Sequence, residues 1–320
     1  MDLIPKKIYE DFCNNHMDKS STIALLLSII ENYDDNDLRI ESIDLLDTFE
    51  LKDEETFKFF ESLLISDLSE EVRNRAALYI HNNFLDRASP PLKWAIQHEK
   101  SYNCLITIIK TLEKINLDDI KLVFIEELLR LKKAKHIILE KKTLDKLLKK
   151  AIKQLFKKHI EKLTIEHLAD LLINYITIIQ LAKTFPNFYF KLNSQSGLID
   201  ELDLSDFLEY EVKGTPWGWK NNIKKLSDIT GLKYLIHLKK LDLSNNLIRN
   251  IEEIIYLVNL SHLILTNNKI SDIKNLSYLK KLPKLKYLDI DGNKISSKIK
   301  KDDFDTDIQL ISDRSYIKIK

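Results

Sequence analysis

From its start to Phe185 the chain sets apolar side chains three and four positions apart, the spacing that lines one face of a helix. DNDLRIESIDLL (35–46) can be laid over SEEVRNRAALYI (69–80) at one constant offset. Leu38-Arg39 matches Val72-Arg73, Ser42 matches Ala76, and Leu46 matches Ile80. Acidic residues open both stretches, as suits the positive end of a helix. Leu38, Leu45, Leu46 and Phe49 form one apolar stripe, and Val72, Ala76, Ile80 and Phe84 the other. The pattern predicts a second helix between them over DEETFKFFESLLI (53–65). A looser third copy follows in SYNCLITIIKTL (101–112), with Tyr102 and Ile106 in the corresponding places.

The acidic opening and the Val-Arg-x-x-Ala core resemble a HEAT repeat, in which helix pairs stack into an α-solenoid. The resemblance spans residues 20–115, and 116–185 continue it by helical periodicity alone; an irregular helical bundle is the alternative arrangement. Within the continuation, KKTLDKLLKKAIKQLFKKHI (141–160) is strongly amphipathic. Leu144, Leu147, Leu148, Ala151, Ile152, Leu155 and Phe156 make one stripe, and lysines crowd the opposite side. TIEHLADLLINYITIIQLAKTF (164–185) is a further apolar helix, stopped by Pro186.

After FPNFYFKLNSQSG the period changes. HLKKLDLSNNLI (237–248), NLSHLILTNNKI (259–270) and KLKYLDIDGNKI (284–295) share the frame Leu-x-x-Leu-x-Leu-x-x-Asn-x-Ile. The copies use Leu238, Leu241, Leu243, Asn246 and Ile248; Leu260, Leu263, Leu265, Asn268 and Ile270; and Leu285, Leu288, Ile290, Asn293 and Ile295. Alternating Leu-x-Leu predicts a short strand with one buried face. The Asn predicts a turn whose side-chain amide bonds otherwise unpaired backbone. Stacked coils then bury an interior that no single coil buries alone.

This is the leucine-rich repeat signature. Its spacing resembles the short class found in protein phosphatase regulatory subunits and similar adaptors. The resemblance covers about residues 197–298 and implies a curved array that binds another protein on its concave strand face. The expected fold is therefore a HEAT-like α-solenoid, residues 1–185, followed by a short α/β leucine-rich repeat solenoid, residues 186–320. Residues 299–320 are expected to cap the array, with IQLISDR and SYIKIK able to form short strands there.

On each strand the residues alternating with buried leucines face outward. They are Glu201, Asp203 and Ser205; Lys240, Asp242 and Ser244; His262, Ile264 and Thr266; Tyr287, Asp289 and Asp291. Acidic side chains dominate this face, and Tyr287, Ile264 and His262 add apolar contact area. It is read either as an ordinary solvated sheet face or as a surface for a basic or mixed protein partner.

GLIDELDLSDF (197–207) is a degenerate first coil, with Ile199, Leu202 and Leu204 in place but Phe207 where Asn belongs. The gap from Leu202 to Leu241 is far longer than the next equivalent gap, from Leu241 to Leu263. The excess predicts an insertion near 208–220, a stretch that contains two of the chain's three tryptophans, Trp217 and Trp219. Tryptophan is enriched at binding hot spots, so the insertion is read as a partner-binding loop; the alternative is that the rings seal the junction between the two halves.

Charge divides the first half further. Residues 1–70 hold eighteen Asp/Glu against six Lys/Arg, and residues 130–162 hold thirteen Lys/Arg against three Asp/Glu. Lys142, Lys146, Lys149, Lys150, Lys153 and Lys157 therefore form a candidate face for nucleic acid or an anionic surface, the alternative function. Only Arg130 lies near, and no aromatic platform interleaves the lysines. All five glycines lie after residue 196, which excludes a P-loop or dinucleotide fingerprint before it. No HExxH, GxSxG or metal-spaced Cys/His cluster occurs, so neither catalysis nor a cofactor or metal is expected. His98-Glu99 is read as a surface feature. The two cysteines, Cys13 and Cys104, form no disulfide framework. The N-terminal MDLIPKKIYEDF lacks a signal h-region, and apolar runs such as IALLLSII (23–30) are short for a bilayer. A soluble, cytoplasmic, non-catalytic adaptor without membrane insertion is the expectation.

Overall fold

The computed structural model describes residues 4–133, 149–150, 152–154, 157, 160–185, 188–210, 216–219, 221–304 and 307–312, with backbone alone at 207–210 and 216–219. The chain divides into two compact units. One holds residues up to Leu128 with Leu163–Ala169, and the other holds Leu129–Lys162 with Asp170–Lys320.

In the first unit, helices begin where the sequence supplies a cap. They are α1 (Pro5–Cys13), α2 (Lys19–Asn32), α3 (Asn36–Asp47), α4 (Glu54–Ser66), α5 (Glu70–Asn83), α6 (Ser89–His98), α7 (Tyr102–Ile115) and α8 (Asp118–Lys133), whose last turns pass into the second unit. Asp18, Asp35, Asp53 and Ser69 each accept a hydrogen bond from a first-turn N–H, the contact that removes an orphan helix donor. Consecutive helices pack as hairpins, α2 on α3, α4 on α5 and α6 on α7, while α3, α5 and α7 form one row and α4 meets α6 in another. Phe60 stacks on Tyr79 at 3.6 Å, and Phe57 meets Phe84 edge-on at 5.3 Å, filling the space between α4 and α5.

The arginines shared by the two matched stretches show what the match is for. Arg39 pairs with Asp67, and Arg73 Nε lies 2.7 Å from Glu99. Each acceptor stands just before the second helix of a later hairpin. Asp67 Oδ1 also accepts Ser69 N–H at 2.9 Å, and Glu99 Oε1 accepts Ser101 N–H at 2.8 Å. Each arginine thus ties its own hairpin to the turn of the next, and the same polar contact recurs along the row.

In the second unit, strands β1 (Tyr189–Leu192), β2 (Ile199–Asp203), β5 (Lys240–Asp242), β6 (His262–Ile264), β7 (Tyr287–Asp289) and β8 (Gln309–Ile311) form one sheet in that order. β1 pairs antiparallel with β2 and the others are parallel. Leu202, Leu241, Leu263 and Leu288 stand in register, and each is at most 1% exposed. The convex side is built of short 3-10 turns, such as Glu252–Tyr256. The longer step from Asn268 to Asn293 instead makes room for a short helix, residues Lys274–Leu279.

The asparagines act as the spacing predicts. Asn268 Nδ2 donates to Leu243 O and Leu265 O, both at 2.9 Å, and its Oδ1 accepts Ile248 N–H at 2.9 Å. Asn246 and Asn293 repeat this one coil earlier and one coil later. The residue before each of them has positive φ: Asn245 at 59°, Asn267 at 56° and Gly292 at 71°. At Gly292 an added Cβ would lie 2.2 Å from Asn267 Oδ1 and 3.1 Å from its backbone N. The amide end can swing away, but the backbone cannot. Gly292→Ala is expected to lower unfolding free energy by about 1–3 kcal/mol, read by urea denaturation.

The apolar interior is covered at each end, as a repeat array requires. β8 closes the far end within the stretch expected to cap it. At the near end stands α9 (Ile165–Thr184), whose residues from Asp170 onward belong to this unit. Asn174 Oδ1 accepts Ile199 N–H at 3.0 Å, Tyr175 O–H donates to Gly197 O at 3.1 Å, and His237 Nε2 lies 2.7 Å from Asp170. α9 is long and apolar enough to cross a bilayer, but 61% of its apolar window is buried within the protein. Asp170, Asn174 and Tyr175 make the contacts just described, which is the behaviour of a core helix.

Candidate binding face

Strand register arranges the outward residues in rows across the sheet. One row runs Lys191, Glu201, Lys240, His262, Tyr287 and Gln309; the next runs Tyr189, Asp203, Asp242, Ile264, Asp289 and Ile311. Lys240 and His262 are exposed, whereas Glu201, Asp203, Asp242, Ile264, Tyr287 and Asp291 are half-buried. Lys191 Nζ lies 2.6 Å from Glu201, so that acidic residue is neutralised within the face. The His262 and Tyr287 rings lie 5.7 Å apart in a near-parallel stack.

Three aspartates close the turns that follow β2, β5 and β7. Asp203 and Asp242 accept the N–H two residues on at 2.9 Å, and Asp289 does so at 3.3 Å. Burial holds the Asp242 carboxyl above the usual aspartate range. The neighbouring Asp203 charge adds to the shift, against opposing hydrogen bonds from Ser244 and the charge of Lys240.

Asp289 corrects the expectation of an open acidic row, because it is 1% exposed. β7 is flanked on both sides, and the register partners of Asp289 are Ile264 and Ile311. Thr266, expected outward on the same face, is 6% exposed. Alternation assigns a residue to a face and does not fix how deeply it sits there. Tyr189, Lys191, Gln309 and Ile311 join the face through strands that lie outside the repeat frame.

The first coil also differs from expectation. Asn221, not the position of Phe207, supplies its turn asparagine, with Nδ2 donating to Leu204 O at 3.0 Å. This is the bond that Asn268 makes to Leu265, three positions before it. The insertion is therefore 207–220, lying between Asp206 and Asn221. Without it the coil reads LDLSD-NNI, against LDLSNNLI in the next copy. Asp206 clamps the root, accepting Asn221 N–H at one carboxylate oxygen and Asn222 N–H at the other.

The inserted backbone forms a separate two-stranded hairpin of β3 (Phe207–Tyr210) and β4 (Pro216–Trp219), pairing Phe207 with Trp219 and Glu209 with Trp217. The side chains of Trp217 and Trp219 lie outside the described residues.

Of the lysine face, Lys142 and Lys146 lie outside the described residues. Lys149 is half-buried, and Lys150, Lys153 and Lys157 are exposed around a buried Ile152. Among the described residues no three or more His, Cys, Asp or Glu side chains gather as metal ligands. His98 and Glu99 separate in role: His98 stacks on Trp94, and Glu99 faces Arg73. The pattern does not single out Trp94, yet it is 43% exposed beside a cleft of about 310 Å³ bounded by Ile65, Asp67, Ala95 and Lys100.

A family model described as leucine-rich repeats, in two copies, matches residues 258–304, the second and third full coils. Neither the curated proteins nor the solved structures yield a significant match. The chain thus carries leucine-rich repeats after a helical, repeat-like region.

Proposed function

We propose that this protein is a non-catalytic interaction scaffold that holds a protein partner on the concave leucine-rich repeat face, with the hairpin of residues 207–220 as a second contact. Leucine-rich repeats generally mediate protein–protein contacts, and curved arrays present their strand face for that purpose. The helical region serves, on this reading, as a HEAT-like solenoid that carries the array. The observation that carries the proposal is the row-by-row register of the face. It sets exposed Lys240 and His262 beside half-buried Ile264 and Tyr287, with a rigid leucine layer beneath. Rigid positioning lowers the entropic cost of binding. A hairpin that leaves the coil between Asp206 and Asn221 without breaking its hydrogen bonds is an addition the fold itself does not require.

Two variants test this. Lys240→Glu/His262→Ala/Ile264→Glu changes only side chains that the fold leaves exposed or half-buried. Joining Asp206 directly to Asn221 restores the unbroken coil and keeps the Asn221 turn bond to Leu204 O, with thermal unfolding as the check on its fold. In affinity capture from nuclease-treated lysate, the face variant is expected to lose the partner and the hairpin deletion to weaken its recovery. Recovery unchanged by both variants contradicts the proposal. Recovery that disappears with nuclease and with Lys150→Glu/Lys153→Glu/Lys157→Glu moves the function to the lysine face.

A further inference from the structure

We infer that the concave face takes an extended partner segment that seats a Lys or Arg side chain between Asp203 and Asp242 and an aliphatic side chain, two positions away, on Ile264. This rests on the concave face being the docking surface and names the chemistry of what docks there.

Asp203 and Asp242 carry a charge that their turns do not require. Each needs only one acceptor oxygen to close its turn, through Ser205 N–H and Ser244 N–H. Asparagine supplies that oxygen without charge, and the same coils use asparagine freely at Asn245, Asn246, Asn267 and Asn268. Asp203 and Asp242 are nevertheless direct register partners on adjacent parallel strands, where like charges destabilise a sheet. The fold gains nothing from this repulsion, and a bound cation relieves it. Of the cations on the face, Lys191 is committed to Glu201, and Lys240 stands exposed in the adjacent row. Its charge opposes the upward displacement of the Asp242 carboxyl without cancelling it.

The next position along the row changes character. Ile264 is the register partner of Asp242, half-buried, with the stacked His262 and Tyr287 rings in the row beside it. Thr266, sent to the same face by strand alternation, is 6% exposed, and its hydroxyl finds no hydrogen-bond partner among the described residues. A polar group so placed is costly unless a partner atom reaches it. Strands stand about 4.8 Å apart, so the midpoint of the aspartate pair lies about 7 Å from Ile264. Side chains two positions apart on an extended segment span that distance. An acidic pair, an aliphatic step and an unsatisfied hydroxyl together select a basic-x-aliphatic segment over an acidic one or a nucleic acid backbone.

The test uses the whole 320-residue chain and an immobilised random decapeptide library. Asp203→Asn/Asp242→Asn keeps both turn acceptors and is expected to fold; Ile264→Glu removes the aliphatic seat. The expected result is that the unaltered protein enriches Arg-x-Leu-like and Lys-x-Ile-like peptides. The double Asn variant should lower their retention at least tenfold, and Ile264→Glu should abolish it. Peptides that depend on Ile264 but show no basic preference, and that bind the double Asn variant equally, overturn this inference and leave the concave-face reading standing. A library giving no peptide whose retention depends on Ile264 or on the aspartates overturns both.

Discussion

Replacing Asn268 with alanine is expected to lower unfolding free energy by about 2–4 kcal/mol. The side chain is 2% exposed and satisfies three backbone groups, the carbonyls of Leu243 and Leu265 and the N–H of Ile248. Alanine leaves the Ile248 N–H buried without a partner, at about 1–3 kcal/mol, and removes one of two amide donors from each carbonyl, since Asn246 also bonds Leu243 O and Asn293 also bonds Leu265 O. These bonds also join two adjacent coils, so the loss acts on the stacking of the array as well as on one turn. The control is one position away. Asn267 is exposed and bonds Asn245 Oδ1, so Asn267→Gly, which keeps its φ of 56° without strain, should cost well under half as much. Urea denaturation of both variants decides the matter, and equal losses would refute the assignment of the turn bonds to Asn268.

Arg73→Met is expected to cost about 3–5 kcal/mol in the first unit, because it leaves a buried carboxylate without its cation. The Glu99 side chain is 4% exposed and bonds Arg73 through both oxygens, at 2.7 and 3.0 Å. Burial alone pushes the Glu99 carboxyl up. The guanidinium of Arg73, the N–H groups of Ser101 and Lys100, and the Cys104 thiol outweigh it and hold the carboxyl at about 2, against an ordinary value of 4.5. The folded value is depressed, so the stabilisation is fully present above pH 4.5 and is lost as the pH falls toward 2. A shift of that size corresponds to roughly 3 kcal/mol. Unfolding free energy measured from pH 7 to pH 2 should fall steeply over that window in the unaltered protein. In Arg73→Met the fall over the same window should be shallower by about that amount, because the Glu99 carboxyl then lies nearer its ordinary value while cap carboxylates such as Asp18 and Asp53, also held low, still contribute. An equally steep fall in both proteins would mean that other carboxylates alone govern acid unfolding.

The parts of the fold written as spacing are legible in the sequence. Three coils are visible because leucine alternation and a turn asparagine recur in one frame, and the helix starts because Asp18, Asp35, Asp53 and Ser69 are capping residues in capping places. The match of Arg39 with Arg73 is legible, but Asp67 and Glu99 are not, since nothing in the sequence pairs a residue with a turn more than twenty positions on. The first coil is obscured because the insertion separates Leu204 from Asn221, so the nearest side chain at the right distance is Phe207. Strand β1 escapes the pattern because it is short and pairs antiparallel, outside any repeat. For the candidate face, alternation gives its members correctly but not their depth. Asp289 and Thr266 are buried for reasons that lie in neighbouring strands and turns.

Hydroxyl-radical footprinting of the protein, free and bound to its captured partner, reads the concave face side chain by side chain. Oxidation of Tyr189, His262, Ile264 and Tyr287 is expected to fall on binding while Trp94, exposed in the helical unit, reacts as before. Unchanged oxidation at those four positions, with protection confined to the helical unit or to residues 149–157, would contradict binding on the concave face.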